Sequence, residues 1–204
     1  MNLGETPVFW IVAGPNGSGK SSLYSNTDIE AFDRSVWIIN PDLLTERIRK
    51  VEGLHAQDAN LQAVIRIETW LQASIRAHQT VGVETVLSTD KYRRLVTEAK
   101  KNQFEFRLIY VLLASPDHNV ERVRLRVRKG GHDVPEEKIR SRWHKSLTQL
   151  PWFLEQADQA SIFDNTGSAP RRVGLKLNGT VTIDPSAPAG LLDVVERIRP
   201  DAAS

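Results

Sequence analysis

A glycine-rich segment follows the first apolar run of the chain and constrains the fold more than any other feature. The pattern G-x-x-x-x-G-K-[ST] is matched at every defined position by Gly14, Pro15, Asn16, Gly17, Ser18, Gly19, Lys20 and Ser21. The glycines allow the backbone to curl until successive N–H groups point inward and form an anion-binding concavity. A helix that begins at Lys20 would present its positive N-terminal end to the same anion. The segment therefore predicts a phosphate-binding loop between a buried strand and a helix.

The side chains that end this loop indicate how a nucleoside triphosphate would be held. Lys20 can reach the β- and γ-phosphate oxygens, and the Ser21 hydroxyl is the expected ligand of Mg²⁺. Ser22 follows in the same helix and is a further nucleotide-binding candidate. The loop alone does not separate kinases, ATPases and GTPases. The chain has no Asn-Lys-x-Asp motif, no LSGGQ-like signature and no apolar strand that ends in Asp-Glu, which leaves a small-molecule kinase.

The composition of the chain limits the classes of protein to which it can belong. The chain has 204 residues, of which 40% are hydrophobic and 25% charged, as in one ordinary globular domain that covers residues 1–204. No apolar run is long enough to span a membrane, and the N-terminus does not resemble a secretory signal. The absence of cysteine excludes disulfides and thiolate chemistry and fits the cytosol. The formal net charge of +2 indicates no particular partner.

Hydrophobic periodicity predicts alternating strands and helices. Strands are expected at Val8–Val12, Val36–Ile39, Val81–Leu87, Phe104–Leu113 and Ser161–Phe163, and a β-hairpin at Arg172–Leu177 and Thr180–Ile183. Helices are expected from Lys20, over Leu43–Val51, Asn60–Ala77 and Asp90–Lys101, from about Asp117 to Lys129, from Pro135 to about Asp158, and over Leu191–Ile198. This order predicts a three-layer α/β/α P-loop NTPase fold with a mainly parallel sheet. Its core would span about residues 8–166, followed by the hairpin and helix at about 171–199.

The long helix predicted over Asn60–Ala77 carries an apolar stripe interrupted by one charge. We expect its buried face to contain Leu61, Val64, Ile65, Leu71 and Ile75. Glu68 falls within this spacing, and its simplest interpretation is a partly exposed or locally paired side chain.

Two acids lie where the catalytic side chains of an open parallel sheet collect, at the carboxyl ends of strands. Asp42 follows Asn40 and Pro41 after the second strand, where a carboxylate could take a proton from an acceptor hydroxyl. Asp42 could equally cap the next helix. Glu84 interrupts an apolar strand, which is costly unless the charge is paired or binds a metal. It could accept a substrate hydroxyl, bind Mg²⁺ through water, or simply face outward from an edge strand.

A basic segment runs from Arg122 to Lys145. On a helix, Val120, Val123 and Val127 would share one face, and Arg122, Arg126 and Lys129 another. A Gly-Gly pair separates this helix from the next, which carries Arg142. Arginines that close over a γ-phosphate are an expected part of a kinase. The alternatives are a nucleic-acid-binding patch, which the interleaved acids and scarce aromatics disfavour, and a plain solvated helix face.

Several strings of this chain recur together, and in this order, in one known family. They are the phosphate loop, Asn40-Pro41-Asp42, Glu84-Thr85-Val86-Leu87-Ser88, Arg122-Val123, Arg126-Val127, Gly130-Gly131-His132-Asp133-Val134-Pro135, Arg142, Ser146-Leu147 and Asp164-Asn165. Together they resemble the short zeta-toxin-like P-loop kinases, some of which are labelled predicted ABC-type ATPases. The resemblance covers about residues 8–166, and the Gly-Gly-His string is its most specific part.

The resemblance implies an ATP- and Mg²⁺-dependent kinase. Better-known members phosphorylate a sugar hydroxyl of UDP-N-acetylglucosamine, and several are toxins paired with an antitoxin. By position, Lys20 and Ser21 would bind ATP and Mg²⁺, Asp42 would be the general base, and Arg122 or Arg126 would stabilise charge in the transition state. The acceptor-binding candidates are Asp42, Glu84, Thr85, His132 and Arg142, and Asn165 is a candidate for the nucleotide.

This chain departs from the long zeta toxins in two places. Thr85-Val86 stands where they have Gly-Thr, and His132 stands near the position of one of their arginines. Because of these two changes, the resemblance does not specify which molecule accepts the phosphate or whether the protein is toxic. The competing function is a nucleotide-gated ATPase that binds RNA or a protein partner through the basic segment.

Overall fold

A computed structural model describes residues 6–26 and 36–196. Its strands are β1 (Val8–Ala13), β2 (Ile38–Ile39), β3 (Val81–Thr85), β4 (Glu105–Leu112), β5 (Gln159–Asp164), β6 (Arg171–Leu177) and β7 (Thr180–Ile183). Its helices are α1 (Lys20–Asn26), α2 (Pro41–Glu52), α3 (Ala56–Arg76), α4 (Arg93–Lys101), α5 (Pro116–Arg128), α6 (Glu136–Gln156) and α7 (Ala189–Glu196). The predicted order of elements is confirmed.

The strands form one seven-stranded sheet in the order β2-β3-β1-β4-β5-β6-β7. The first five strands along the chain, β1 to β5, pair in parallel, while β6 and β7 add an antiparallel hairpin at one edge. The predicted mainly parallel α/β/α fold is therefore confirmed. Because β1 lies between β3 and β4, the loop that follows β1 emerges at the middle of the carboxyl edge, with the ends of β3 and β2 on one side of it.

Strand β1 is buried on both faces, and its alternation separates the two helical layers. Phe9, Ile11 and Ala13 pack in a core cluster with side chains of α3 and α6. Trp10 and Val12 face the opposite way and pack with Leu23 of α1. The sheet is thus covered on both sides, which fixes the position of the loop after Ala13.

Element boundaries differ from the predictions where polar loops replace the ends of regular elements. Strand β3 ends at Thr85 rather than Leu87, because Leu87 has a φ of 58° and its N–H donates to the Thr85 hydroxyl. Helix α4 begins at Arg93 rather than Asp90, since the preceding residues form a turn closed by the Arg93 N–H and the Asp90 carbonyl. Both changes lengthen the loop between β3 and α4 at the carboxyl edge.

Other boundaries shift by a few residues. Helix α2 begins at Pro41, two residues before the predicted start, and α3 begins at Ala56 rather than Asn60. Strand β2 contains only Ile38–Ile39, and α6 begins at Glu136 with Pro135 as its N-cap. The predicted end of the last helix at Ile198 lies outside the described residues.

The predicted buried face of α3 is partly wrong. Leu61 is 56% exposed and Ile65 is 48% exposed, whereas Ala59, Ala63, Ile67, Leu71 and Ile75 are buried. Alanines occupy the face that packs on α2, where Ala59 and Ala63 cluster with Ile48, so the helices approach closely through small side chains. Glu68 is partly exposed, as predicted, and its ion-pair partner at 2.6 Å is Arg94 of α4 rather than a local residue.

The C-terminal hairpin is joined to the rest of the sheet through β5 and by one buried lysine. Lys176 Nζ donates to the carbonyls of Leu154 (2.9 Å) and Glu155 (2.7 Å) near the C-terminal end of α6. Such a cation satisfies carbonyls that a helix leaves unpaired. The single-domain organisation stays a prediction, with which this continuous sheet agrees. None of the described helices is both long and apolar enough to cross a bilayer.

Candidate functional site

The glycine-rich loop connects β1 to α1 and has the backbone that its sequence requires. Gly14, Gly17 and Gly19 have φ values of 145°, 78° and 90°, which side-chain-bearing residues rarely adopt. A β-carbon at Gly14 would collide with the Val111 carbonyl, and one at Gly19 would collide with the Asn165 amide. The loop therefore packs closely against β4 and against the residue that follows β5.

Side chains from three other elements hold this loop in place. Asn119 of α5 is fully buried and donates to the Asn16 carbonyl at 2.6 Å. Arg142 of α6 donates to the Asn16 side-chain oxygen at 3.1 Å. Asn165, which follows β5, donates to the Ser18 carbonyl at 2.8 Å. The loop is braced before any ligand arrives, which reduces the ordering cost of binding.

Lys20 lies at the N-terminus of α1 with 7% of its surface exposed. Its ammonium donates to the carbonyls of Gly14 (2.8 Å) and Pro15 (3.2 Å) and lies 3.7 Å from Glu84 Oε1. Burial lowers the pKa of Lys20 from its ordinary value, while the charges of Glu84 and Asp42 oppose that shift. The positive charge is thus placed among groups that an anionic phosphate could displace.

Glu84 is buried on the interior strand β3, which lies between β2 and β1, so it is neither on an edge strand nor outward-facing. Its Oε2 accepts from the Ser21 hydroxyl at 2.8 Å and from the Asn40 amide at 2.9 Å. The cost of burying this carboxylate is offset by these donors and by the nearby Lys20. Strand pairing places Glu84 opposite Val12, so the carboxylate comes directly beside the glycine-rich loop.

Asp42 occupies the first turn of α2, and the residue that caps this helix is Asn40. The Asn40 Oδ1 accepts from the N–H groups of Asp42 (2.9 Å) and Leu43 (3.2 Å). The interpretation of Asp42 as a helix cap is therefore wrong. Its carboxylate is exposed, and within residues 6–26 and 36–196 no hydrogen bond or ion pair engages it.

A cleft of about 190 Å³ lies beside the glycine-rich loop. The predicted site residues that line it are Asn16, Gly17, Lys20, Asp42, Glu84, Thr85, Arg126 and Arg142. The cleft brings together the ammonium of Lys20, the free carboxylate of Asp42 and two arginines of the basic segment, Arg126 and Arg142, which we call the lid arginines. These groups could bind phosphates, accept a proton and neutralise developing charge.

The other predicted site residues lie outside this lining, and six of them, Gly14, Pro15, Ser18, Gly19, Ser21 and Asn165, belong to the glycine-rich loop or contact it. The remaining three are Arg122, His132 and Ser22. Arg122 donates to the Asn165 carbonyl at 2.6 Å, on the Gly19 side of the loop. His132 is exposed, and its carbonyl accepts from Arg126 at 2.7 Å. Ser22 is exposed on α1. Their predicted roles stay predictions, and the position of Arg122 suits nucleotide contact better than contact with an acceptor.

Sequence reasoning gave no site role to the other residues of the lining, which are Asn40, Pro41, Val86, Ser88, Lys91 and Tyr92. Asn40 and Pro41 immediately precede Asp42, so their position beside a catalytic candidate was the available signal. Lys91 and Tyr92 fall within the helix predicted over Asp90–Lys101. They line the cleft because α4 begins later and leaves them in the loop at the carboxyl edge.

We expect Asn165→Ala to raise the KM for ATP by about tenfold, because removing the amide leaves the Ser18 carbonyl without its donor and loosens the loop (about 1–3 kcal/mol). The kcat should change far less, since no reacting group is lost. Steady-state kinetics over a range of ATP concentrations measures both values. Asn102→Ala serves as the control, because the Asn102 side chain donates to the Glu98 carbonyl at the end of α4, away from the loop. An unchanged KM would contradict the bracing role.

Comparisons with known proteins identify relatives of this chain. A 29% identical, uncharacterized protein of Haemophilus influenzae aligns over 132 residues, which are 64% of this chain and 88% of that protein. The structure of AvrRxo1-ORF1:AvrRxo1-ORF2 with sulphate ions is similar with a TM-score of 0.71 and 14% identity, over 98% of this chain and 67% of that one. A structure from the PezAT toxin-antitoxin system of Streptococcus pneumoniae is similar with a TM-score of 0.62 and 15% identity, over 96% of this chain and 79% of that one.

These two structural similarities show a shared fold. The sequence profile of the zeta toxin family matches residues 2–169, which contain the glycine-rich loop, both acids and the lid arginines. The chain therefore belongs to the zeta toxin family, and it is an ATP-dependent P-loop kinase.

Proposed function

We propose that this kinase transfers the γ-phosphate of ATP to a hydroxyl group of a small, negatively charged molecule. The observation that carries the proposal is the shared cleft, in which Lys20 of the phosphate loop and the unpaired carboxylate of Asp42 face the same space. A carboxylate in this position can take the proton of an attacking hydroxyl. A similar structure, AvrRxo1-ORF1:-ORF2 with ATP, supports the assignment of the nucleotide.

The donor groups beside the loop fit Mg²⁺. Ser21 Oγ and Glu84 Oε2 are oxygen donors 2.8 Å apart. Among the described residues, no group of three histidine or acidic side chains forms a closed metal cage. This sparse set suits Mg²⁺, which keeps several waters and takes its remaining ligands from phosphates. Bound with ATP, the ion would neutralise charge on the phosphate oxygens. Ser21 would hold it directly, and Glu84 directly or through water.

The protein's own groups would carry the remaining steps. Lys20 and the backbone N–H groups of the loop bind the phosphates of ATP. Asp42 accepts the proton of the attacking hydroxyl. Arg126 and Arg142 neutralise the charge on the transferred group, since both line the cleft. Arg122 contacts the nucleotide from the Asn165 side, where its guanidinium is held by the backbone.

Lys91 indicates the chemistry of the acceptor. It lines the cleft beyond β3, close to the ring of Tyr92 (4.8 Å), and the described residues provide no ion pair for it. Its pKa is lowered by partial desolvation, which the charge of Glu68 opposes. Because the phosphates of ATP would occupy Lys20 and the arginines, Lys91 is the cation left for the acceptor. Thr85 and Ser88 supply neighbouring hydroxyls, so a UDP-activated amino sugar is a suitable acceptor class.

We expect Lys91→Met to raise the KM for an anionic acceptor by about tenfold to a hundredfold, the value of one charged hydrogen bond. The kcat and the KM for ATP should stay within about twofold, because Lys91 does not touch the transferred group. Initial rates with UDP-N-acetylglucosamine and with uncharged N-acetylglucosamine measure the selectivity. Lys101→Met, an exposed lysine at the end of α4, is the control. Equal effects on both acceptors would contradict this role.

Radiolabelled ATP with a panel of sugars, sugar phosphates and UDP-activated sugars tests the proposed function directly. Acceptor-dependent transfer is the expected result, and its absence across the panel would refute the assignment. The family and its toxin-antitoxin neighbours support a protein partner that restrains the enzyme. Growth arrest that is relieved in Lys20→Ala would support this part of the proposal, and harmless overexpression would count against it.

The alternative of a nucleotide-gated RNA-binding protein gains no support from the basic segment. Arg124 pairs with Glu136 at 2.7 Å, and Arg140 pairs with Asp117 at 2.7 Å and with Glu136 at 2.8 Å. Arginines neutralised in this way leave less charge for a phosphate backbone.

A further inference from the structure

The side chain of Asn40 contacts both the helix that carries Asp42 and the Glu84 carboxylate beside the phosphate loop. Its Oδ1 accepts from the N–H groups of Asp42 and Leu43, at 2.9 and 3.2 Å, and so caps α2. Its Nδ2 donates to Glu84 Oε2 at 2.9 Å and lies 3.4 Å from Ser21 Oγ. One planar amide therefore contacts the helix that carries Asp42 and, at the same time, the carboxylate beside the phosphate loop.

Helix capping alone explains only half of this arrangement. Serine, aspartate and asparagine are all good N-caps, so the stability of α2 does not require an amide. Only asparagine has an oxygen that accepts from the helix and, on the same rigid group, a nitrogen that donates to a carboxylate. Backbone pairing between β2 and β3 is limited to Ile38–Ile39 and ends before Asn40, so the pairing does not reach the first turn of α2, where Asp42 lies. Packing on α3 holds α2 further along, at Ile48.

We propose that Asn40 is a positioning residue that sets the distance between Asp42 and the Ser21–Glu84 pair. The inference rests on the proposed function, in which these two places hold the attacking hydroxyl and the phosphates. Phosphoryl transfer depends mainly on the placement of reacting groups, and an error of about 1 Å can cost about 100-fold in rate. The amide keeps the Glu84 carboxylate turned toward Ser21 and holds the first turn of α2 against that carboxylate.

Two variants separate positioning from capping. Asn40→Ser keeps a cap and replaces the amide nitrogen that donates to Glu84 by a shorter side chain, whose single oxygen caps the helix. Asn40→Asp keeps a cap and places a negative charge against Glu84. Thr45→Val is the matched control, because it removes a 2.9 Å bond to the Pro41 carbonyl in the same helix without touching Glu84.

We expect Asn40→Ser to lower kcat by about 10- to 100-fold, as other residues that orient catalytic ligands do. Asn40→Asp should lower it further, and Thr45→Val should leave it within about threefold of wild type. The KM for ATP should stay within about threefold in all three variants, and each should still unfold in one cooperative transition, with Asn40→Asp the least stable because its charge lies against Glu84. A wild-type kcat in Asn40→Ser, or equal losses in Asn40→Ser and Thr45→Val, would overturn the proposal.

A double-mutant cycle without ATP or metal tests the contact itself. Free energies of unfolding are measured by urea denaturation for wild type, Asn40→Ser, Glu84→Ala and the double variant. If the amide acts through Glu84, Asn40→Ser should cost less in the Glu84→Ala background than in wild type. Strict additivity would overturn the link. This measurement stands even if no acceptor is found, so failure of the proposed function and failure of the inference are distinguishable.

Discussion

Replacing Lys20 with methionine is expected to lower the rate of phosphoryl transfer by about 10³-fold or more. Loss of one preorganised donor to a developing oxyanion costs about 10²–10³ in rate, and loss of a full charge on a transferring phosphoryl group costs about 10³–10⁵. Lys20 is buried and surrounded by carbonyl oxygens and Glu84, so water cannot replace its ammonium easily. Single-turnover transfer from labelled ATP gives the rate.

The same substitution also tests whether the fold depends on this charge. Methionine fills similar volume but removes the ammonium that lies 3.7 Å from Glu84 Oε1, and Ser21 and Asn40 still donate to that carboxylate. We therefore expect a folded protein with a modestly lower melting temperature. Lys50→Met is the control, because Lys50 is 74% exposed and pairs only with Glu46 on the same helix. A transfer rate within tenfold of wild type in Lys20→Met would exclude the assigned role.

The central part of the fold was predictable because local signals agree there. The apolar run before Gly14, the loop pattern and the helix after it specify β1, the phosphate loop and α1 without help from tertiary structure. Glycine is required at Gly14 and Gly19 by backbone conformation and by close neighbours, which explains why the pattern is informative. Asp42 and Glu84 follow or end parallel strands, and the carboxyl ends of such strands share one edge of the sheet. The parallel topology therefore predicts that both acids lie near the loop.

The rest of the site depended on contacts that no sequence spacing encodes. The loop between β3 and α4 is longer than helical periodicity suggested, and Leu87 in a left-handed conformation begins it. This conformation exposes Ser88 and Lys91 to the cleft. The double role of Asn40 was equally invisible, since its donor partner Glu84 is distant in sequence. Arg122 and Arg126 are one helical turn apart, and the docking of α5 on the phosphate loop decides which of them enters the cleft.

Replacing Asp42 with asparagine is expected to lower kcat by about 10²–10⁴, the usual contribution of a general base. The side chain keeps its size, and the helix keeps its cap because Asn40 supplies it. Asp42 does contribute a negative charge near the positive end of α2, which is worth about 0.3–1 kcal/mol, so only a small loss of stability follows. Initial rates at saturating ATP and acceptor, together with thermal unfolding, measure both effects.

The identity of the acceptor hydroxyl then distinguishes proton removal from simple binding. A hydroxyl made more acidic by a neighbouring electron-withdrawing group needs less help from a base, so the deficit of Asp42→Asn should shrink with such an acceptor. If Asp42 only binds the acceptor, its loss should instead raise the KM equally for the acidified acceptor and for an ordinary one. Glu46→Gln, an exposed carboxylate one turn further along α2, should behave as wild type throughout. A deficit that is independent of hydroxyl acidity would move Asp42 from proton acceptor to substrate ligand, and the free carboxylate in the cleft would then need a different explanation.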